Sequence, residues 1–365
     1  MISFEQAVAI ALGYDARDNM YAEYESSYEF WWDCGIPMEG PQPYVIMKES
    51  GERMPLPHAI GSGYKRGKLV REGEIPEAMR PTFFTLRDAV YGAAVGDALG
   101  VPYEFRGRGS FECAGMASGG AHGQPAGMFS DDTSMMLATC DSVRVRGRID
   151  ARDMRRRFVS WLREGAYTPD GNVFDVGNTV TMALDEGRGC EGERSNGNGS
   201  LMRIAPLAYT HADDDEIRVA SAITHAHRIS TESCVCFVKL IRNLVGGNPL
   251  DLALEYSIPE GGEFAFLNDV VSQPREAIKS GGYVLDTLGA AIWCFANTGS
   301  YAECVLAAVN LGGDADTTAC VAGALAGAAY GYRAIPGEWL DALRGKNVIE
   351  RCLFPGFEKV RSWPE

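Results

Sequence analysis

The chain has 365 residues, 46% hydrophobic and 23% charged, a globular balance that suits one large domain with an extension, or two domains. Its formal charge of −15 repels phosphate backbones and anionic membrane surfaces, so neither nucleic acid nor membrane is expected as a partner. No apolar run approaches the roughly 18–20 residues of a membrane span, and residues 1–16 lack the basic flank of an export signal, so a soluble, cytoplasmic chain is expected.

Residues 1–80 differ in texture from the rest and predict a small α+β extension that could serve as a partner-binding module. A helix is expected over 3–13 with Ser3 as its cap, then strands over 28–33 and 44–48, separated by Pro- and Gly-rich turns at 35–43 and followed by a turn at 49–52. The glycines and lysines of 61–68 have the wrong spacing for a phosphate loop, and Leu69 stands where Ser or Thr is needed, so this stretch reads as a basic surface loop. From residue 81 onward the pattern is helical. In 231–245, Cys234, Phe237, Val238, Ile241 and Val245 recur at the spacing of a buried helix face. Similar segments cover 86–99, 132–146, 154–163, 215–226, 283–296, 301–311 and 317–332. Strand-like alternation is nearly absent, so 81–365 is expected to be an all-α domain. The 10 cysteines include no CxxC pair and several fall in apolar helical segments, which predicts buried free thiols rather than structural zinc.

Two short segments, Phe129-Ser130-Asp131-Asp132-Thr133 and Gly312-Gly313-Asp314-Ala315-Asp316-Thr317-Thr318, lie where a loop gives way to an apolar helix. Either alone could be an ordinary helix cap. Together they offer four carboxylates and several hydroxyls, whose mutual repulsion demands raised pKa values or bound cations. All-oxygen donors suit Mg²⁺, Mn²⁺ or Ca²⁺ better than zinc, and two such ions could activate water while orienting substrate hydroxyls. A third segment, Gly197-Asn198-Gly199-Ser200-Leu201-Met202-Arg203, presents glycine amides directly before an expected helix, as a diphosphate site would, or is a flexible turn. Residues 187–195 read as its mobile flank.

In order along the chain come Gly92-Ala93-Ala94-Val95-Gly96-Asp97-Ala98-Leu99-Gly100, Ser130-Asp131-Asp132-Thr133, Asp175-Val176-Gly177-Asn178-Thr179, Gly197 to Arg203, Thr224-His225 and Gly312 to Thr317. This series resembles the ADP-ribosylglycohydrolase family, whose type member removes ADP-ribose from an arginine of dinitrogenase reductase. The resemblance implies an all-α fold with two Mg²⁺ ions, or Mn²⁺, held by Ser130, Asp131, Asp132, Asp314, Asp316 and Thr317. Ser130 departs from the threonine more usual in the family but keeps the hydroxyl. The resemblance further implies that Asn198, Gly199, Ser200 and Leu201 hold the diphosphate and that His225, expected within a helix, lies near the ADP-ribose. Catalytic roles fall to Glu104, Asp132, Asp175 and Asp316, with Glu104 or Asp175 moving a proton. The expected partner is an ADP-ribosylated protein. Some bacterial members are immunity proteins whose N-terminal extension blocks an ADP-ribosyltransferase toxin, and residues 1–80 resemble that plan. A two-metal phosphohydrolase acting on the diphosphate and a non-catalytic ADP-ribose binder stay open at this point, as does the linkage cleaved.

Overall fold

The computed structural model describes residues 1–14, 19–31, 43–76, 82–356 and 359–362. Trp32 and Asp33 at the end of the first expected strand, Cys34 and nearly all of the expected turn at 35–43 lie outside the described residues. The chain forms two compact units, Met1–Phe83 with the chain end from Val360, and Phe84–Lys359.

In the first unit, α1 (Phe4–Tyr14) precedes strands β1 (Met20–Tyr24), β2 (Ser27–Trp31), β3 (Tyr44–Met47) and β4 (Arg53–Pro55), the short helix α2 (Leu56–Gly61) and strand β5 (Leu69–Glu74). Ser3 caps α1 as expected: the Gln6 amide donates to Ser3 Oγ over 3.2 Å and the Ser3 amide donates to Gln6 Oε1 over 2.9 Å. The strands form one antiparallel sheet in the order β4-β3-β2-β1-β5. Alternation along the strands gives the sheet two apolar faces. Tyr28, Phe30 and Ile46 pack with Phe4, Val8 and Leu12 of α1, whereas Val45 packs with Leu56 and Ala59 of α2. Strands β1, β4 and β5 were not expected. They are short or, like the exposed edge strand β5, too polar to show a period-two pattern.

The second unit is helical. The short strands β6 (Thr82–Phe84) and β7 (Lys359–Ser362) pair where the two units' boundaries fall, and the second unit contains α3 (Leu86–Gly100), α4 (Asp131–Arg146), α5 (Ala151–Glu164), α6 (Asn178–Glu186), α7 (Asp214–Ala222), α8 (Arg228–Val245) and α9 (Leu250–Ser257). It continues through α10 (Val284–Ala296), α11 (Tyr301–Val309), α12 (Ala315–Tyr330), α13 (Gly337–Ala342) and α14 (Lys346–Cys352). Every helix expected from apolar periodicity is present. The segments α9, α13 and α14 are too short for periodicity to have marked them. Among the described residues no helix is long and apolar enough to cross a membrane, and the described cysteines are free thiols, buried except for half-buried Cys190.

At the centre α3 and α12 lie backbone against backbone. Gly92, Gly96 and Gly100 recur every fourth position on one face of α3. A Cβ at Gly92 would stand 2.2 Å from Gly323 O, one at Gly96 2.1 Å from Ala319 O, and one at Gly100 2.2 Å from the Asp316 Cα. Only hydrogen fits in this seam, and it brings the C-terminal turn of α3 against the N-terminal turn of α12.

One helix ends earlier than its pattern predicts. The 215–226 segment stops as α7 at Ala222, so His225 lies in the connection to α8, not inside a helix. The backbone there is claimed by another strand of chain: the Cys190 amide donates to Thr224 O over 2.9 Å and the Ala226 amide to Cys190 O over 2.9 Å. The same pairing ties down the 187–195 segment that the sequence reads as loose.

Candidate active site

Asp97 follows the seam glycine Gly96 and is fully buried. It accepts hydrogen bonds from the Ser130 amide at 3.0 Å, the Thr133 amide at 3.1 Å and Thr133 Oγ1 at 2.6 Å. This one carboxylate therefore holds the start of α4, where Ser130 Oγ caps the helix by accepting from the Asp132 amide. Asp131 and Asp132 are thereby placed, buried, in the first turn. Across the site, Gly312 and Gly313 have φ of +71° and +74°. Their left-handed turn, with Ser280 O 2.4 Å from where a Gly313 Cβ would be, delivers Asp314 and then Asp316 at the start of α12.

The two acidic segments meet. Thr317 Oγ1 donates to Asp132 Oδ1 over 3.3 Å. Asp97, Asp132 and Asp316 offer oxygens within 4.8 Å of one another, and so do Glu104, Asp314 and Asp316. Burial, reinforced by the neighbouring charges, pushes Asp131, Asp132 and Asp316 well above the usual carboxylate range. Burial also lifts Asp97 to about 6 despite its hydrogen bonds. Asp132 Oδ2, Asp314 Oδ1 and Asp316 Oδ2 are buried without a hydrogen-bond partner. Such oxygens are costly unless something positive meets them. Carboxylates and hydroxyls with spare lone pairs fit hard divalent cations, so the acidic clusters can hold metal.

Beside them lies a second cluster. Glu104 follows a short 3-10 turn, Val101–Tyr103, that continues from α3. Its Oε2 lies 2.5 Å from His122 Nε2, which is 3.8 Å from Asp175 Oδ1. Burial, then the charges of Asp175 and Asp314, lift Glu104 to about 9. Burial raises Asp175 too, opposed by His122. Asp175 and Phe105, the residue after Glu104, have φ of +54° and +63°, a left-handed backbone that non-glycine residues adopt at a cost of order 1–3 kcal/mol and that clusters at functional sites. Sequence reasoning missed His122, which sits in a glycine-rich loop with no ligand-like spacing. It also assigned nothing to Asp97, whose signal was available: a lone acid among the small apolar residues of 89–99.

The glycine loop reaches the acidic cluster through Asn198, whose Nδ2 donates to Asp314 Oδ2 and to Thr287 Oγ1, each over 2.9 Å. The loop does not open an α-helix, contrary to expectation, but runs through turns into a 3-10 helix, Ala205–Tyr209, with Pro206 in its first turn. Buried Arg203 fastens it, donating to the carbonyls of Gly199, Ala220 and Ser221. Ser200 and Leu201 are fully buried, and Ser200 Oγ bonds to Ser221 Oγ. Their side chains thus face the core, while the amides of Gly199 and Ser200 take no hydrogen bond among the described residues. His225 is 2% exposed and lies directly behind the loop, its Cε1 2.8 Å from where a Gly199 Cβ would be. Burial lowers its pKa to about 3, with Arg203 adding to the effect, so the ring is neutral. Thr224 Oγ1 lies 2.9 Å from its Nδ1.

A family model described as ADP-ribosylglycohydrolase matches residues 81–361. An ADP-ribosylarginine hydrolase Tri1 of Serratia proteamaculans (strain 568) is 35% identical over 290 residues, covering 73% of this chain and 78% of its own. The ADP-ribosyl-[dinitrogen reductase] glycohydrolase of Rhodospirillum rubrum is 32% identical over 282 residues, 72% of this chain and 90% of its own. A solved structure titled ADP-ribosylglycohydrolase-related protein complex superposes with a TM-score of 0.63 at 35% identity, covering 74% of this chain and 95% of that one. With that match spanning the whole helical unit that carries the acidic cluster, the chain belongs to the ADP-ribosylglycohydrolase family, a family of hydrolases.

Proposed function

We propose that the chain removes ADP-ribose from modified arginine side chains of proteins by hydrolysing the N-glycosidic bond, with two divalent cations, Mg²⁺ or Mn²⁺, held by Ser130, Asp131, Asp132, Asp314, Asp316 and Thr317. The observation that carries this reading is the meeting of two distant loops around three buried, partnerless carboxylate oxygens. The relatives named as an ADP-ribosylarginine hydrolase and as a dinitrogen reductase glycohydrolase support the substrate. Cations held by these residues would offset the carboxylates' mutual repulsion and would supply Lewis-acid orientation of ribose oxygens and water.

The rest is work for the chain's own residues. The free amides of Gly199 and Ser200 take the diphosphate, Asn198 joins that loop to Asp314, and His225 and Leu201 hold it from behind. Asp132 and Asp316 present negative charge towards C1″ as the sugar becomes cation-like. Asp175 accepts a proton from the attacking water, and Glu104 delivers one to the departing guanidino nitrogen. Glu104, His122 and Asp175 offer atoms within 4.8 Å of one another, a proximity over which the proton returns for the next turnover. In this reading the unit Met1–Phe83, nearly all of it outside the family match, binds an ADP-ribosyltransferase toxin, so that the chain acts as an immunity protein with two separable activities.

Incubation with arginine- and serine-linked ADP-ribosyl proteins, with chelator and with Mg²⁺, tests the reaction. Free ADP-ribose released from arginine only with metal is the expected product. AMP and ribose phosphate would instead identify a phosphohydrolase, and tight ADP-ribose binding without turnover a binding protein.

A further inference from the structure

The acidic cluster is approached from two ends. The glycine loop joins it at Asp314 through Asn198, and His122 joins it at Glu104. Around His122 stand two aromatic rings, Phe105 with its centroid at 6.0 Å and Phe174 at 5.3 Å, both tilted to the imidazole. Phe105 is 68% exposed, unusual for so large an apolar side chain. Its position is nonetheless fixed, because its amide donates to Gly313 O over 2.7 Å and the Gly313 amide donates to Arg106 O over 2.8 Å. Phe105 is thus bolted to the turn that delivers Asp314, in a left-handed conformation. Phe174 precedes Asp175, which is left-handed as well. Two strained backbone positions therefore hold two aromatic faces and a carboxylate around one imidazole, and nothing in the mechanism above uses the aromatics.

We propose that Phe105, Phe174 and His122, with Asp175 beside them, form the subsite for the leaving arginine side chain and so decide which protein linkage is cleaved. This rests on the arginine reading above. A guanidinium is planar, cationic and weakly hydrated, and it is held by an aromatic face with a carboxylate at its edge. A hydroxyl leaving group such as serine gains nothing from the same walls. His122 is a positioning residue here: its bond to Glu104 keeps the ring upright between the two phenyl groups.

The experiment compares the full chain with Phe105→Ala, Phe174→Ala and Phe105→Trp. An arginine-linked ADP-ribosyl peptide is the substrate, and binding of free ADP-ribose, which lacks the arginine, is measured by calorimetry. Each alanine variant is expected to lose roughly 5- to 30-fold in kcat/KM, as a cation over an aromatic face implies. ADP-ribose binding is expected to be unchanged, which also reports that the variants are folded, and Phe105→Trp is expected to restore turnover. Unchanged kcat/KM in both alanine variants, or a parallel loss of ADP-ribose binding, overturns the subsite. If the wild-type chain itself cleaves no arginine-linked peptide, the arginine reading fails and the subsite falls with it. That failure is visible without any variant.

Discussion

Adding Mg²⁺ to chelator-stripped protein is expected to raise its unfolding temperature, whereas Asp132→Asn should stabilise the stripped chain and abolish most of the response to the ion. Asp97, Asp132 and Asp316 offer oxygens within 4.8 Å of one another, and two full charges at that separation repel by about 3.5 kcal/mol at an effective dielectric of about 20. Without a cation, burial and the neighbouring charges of Asp97, Asp131 and Asp314 favour the protonated form of Asp132, raising its pKa well above the usual carboxylate range. Taking up that proton on folding costs stability wherever the unfolded chain leaves the group ionised. Asparagine has nearly the same shape, still accepts from Thr317, and does not incur the cost. A gain of up to about 3.5 kcal/mol, or roughly 6 °C for a helical unit of this size, is therefore expected in the stripped variant. The advantage should vanish as pH falls towards 4, where the unfolded chain takes up the same proton. In the wild type, Mg²⁺ at a hundred times its dissociation constant contributes about 2.7 kcal/mol, or roughly 5 °C. Differential scanning fluorimetry in EDTA and in Mg²⁺ reads all four states. A stripped Asp132→Asn less stable than the stripped wild type, or an equal Mg²⁺ response in both, would falsify the account of a repulsive cage relieved by cations.

Three further outcomes follow from other parts of the chain. His225 is held neutral, with a folded pKa of about 3 against an ordinary 6.5. The unfolded chain therefore gains a proton the folded one refuses as pH falls from 6.5 towards 3, and stability drains by up to about 1.4 kcal/mol per pH unit in that window. Urea titrations across the window should show a shallower acid slope for His225→Asn than for the wild type, and identical slopes would refute this. Gly96→Ala pushes a Cβ to 2.1 Å from Ala319 O, and since backbone cannot step aside as a side-chain tip can, a loss of about 3 kcal/mol is expected in chemical denaturation. Retention of full stability would show that the seam is looser than described. Deletion of residues 1–80 should leave arginine-linked hydrolysis intact while abolishing capture of a cognate ADP-ribosyltransferase toxin. Asp316→Ala should do the reverse, with turnover down at least about 100-fold, and pull-down and product assays on both variants decide it.

What could be read from the sequence, and what could not, follows physical lines. The long helices were legible because a buried face repeats through Cys234, Phe237, Val238 and Ile241, which burial bears out. The convergence of Asp132 with Asp316 was legible only as a charge problem: four acids need compensation, and the structure shows the partnerless oxygens that problem implies. His122 was invisible because its role depends on a loop folding back onto Glu104, and no periodicity encodes that closure. The end of α7 at Ala222 was misjudged because Ile223 continues the apolar pattern, whereas the backbone pairing with Cys190 that stops the helix comes from a segment more than thirty positions upstream. Strands β1 and β5 were missed because their polar, partly exposed residues lack the alternation of a half-buried strand.

The hydrogen bond between Thr317 and Asp132 joins residues 185 positions apart, and this has a consequence for biosynthesis. As the chain leaves the ribosome, the first acidic pair emerges long before its counterpart. Until the last third has been made, no cavity exists in which an ion could be retained. Under the proposed function, loading follows completion of the helical body, and a truncated or stalled product presents only a scattered set of solvated acids. In that reading, ion retention by the finished molecule reports on the integrity of everything between those two points.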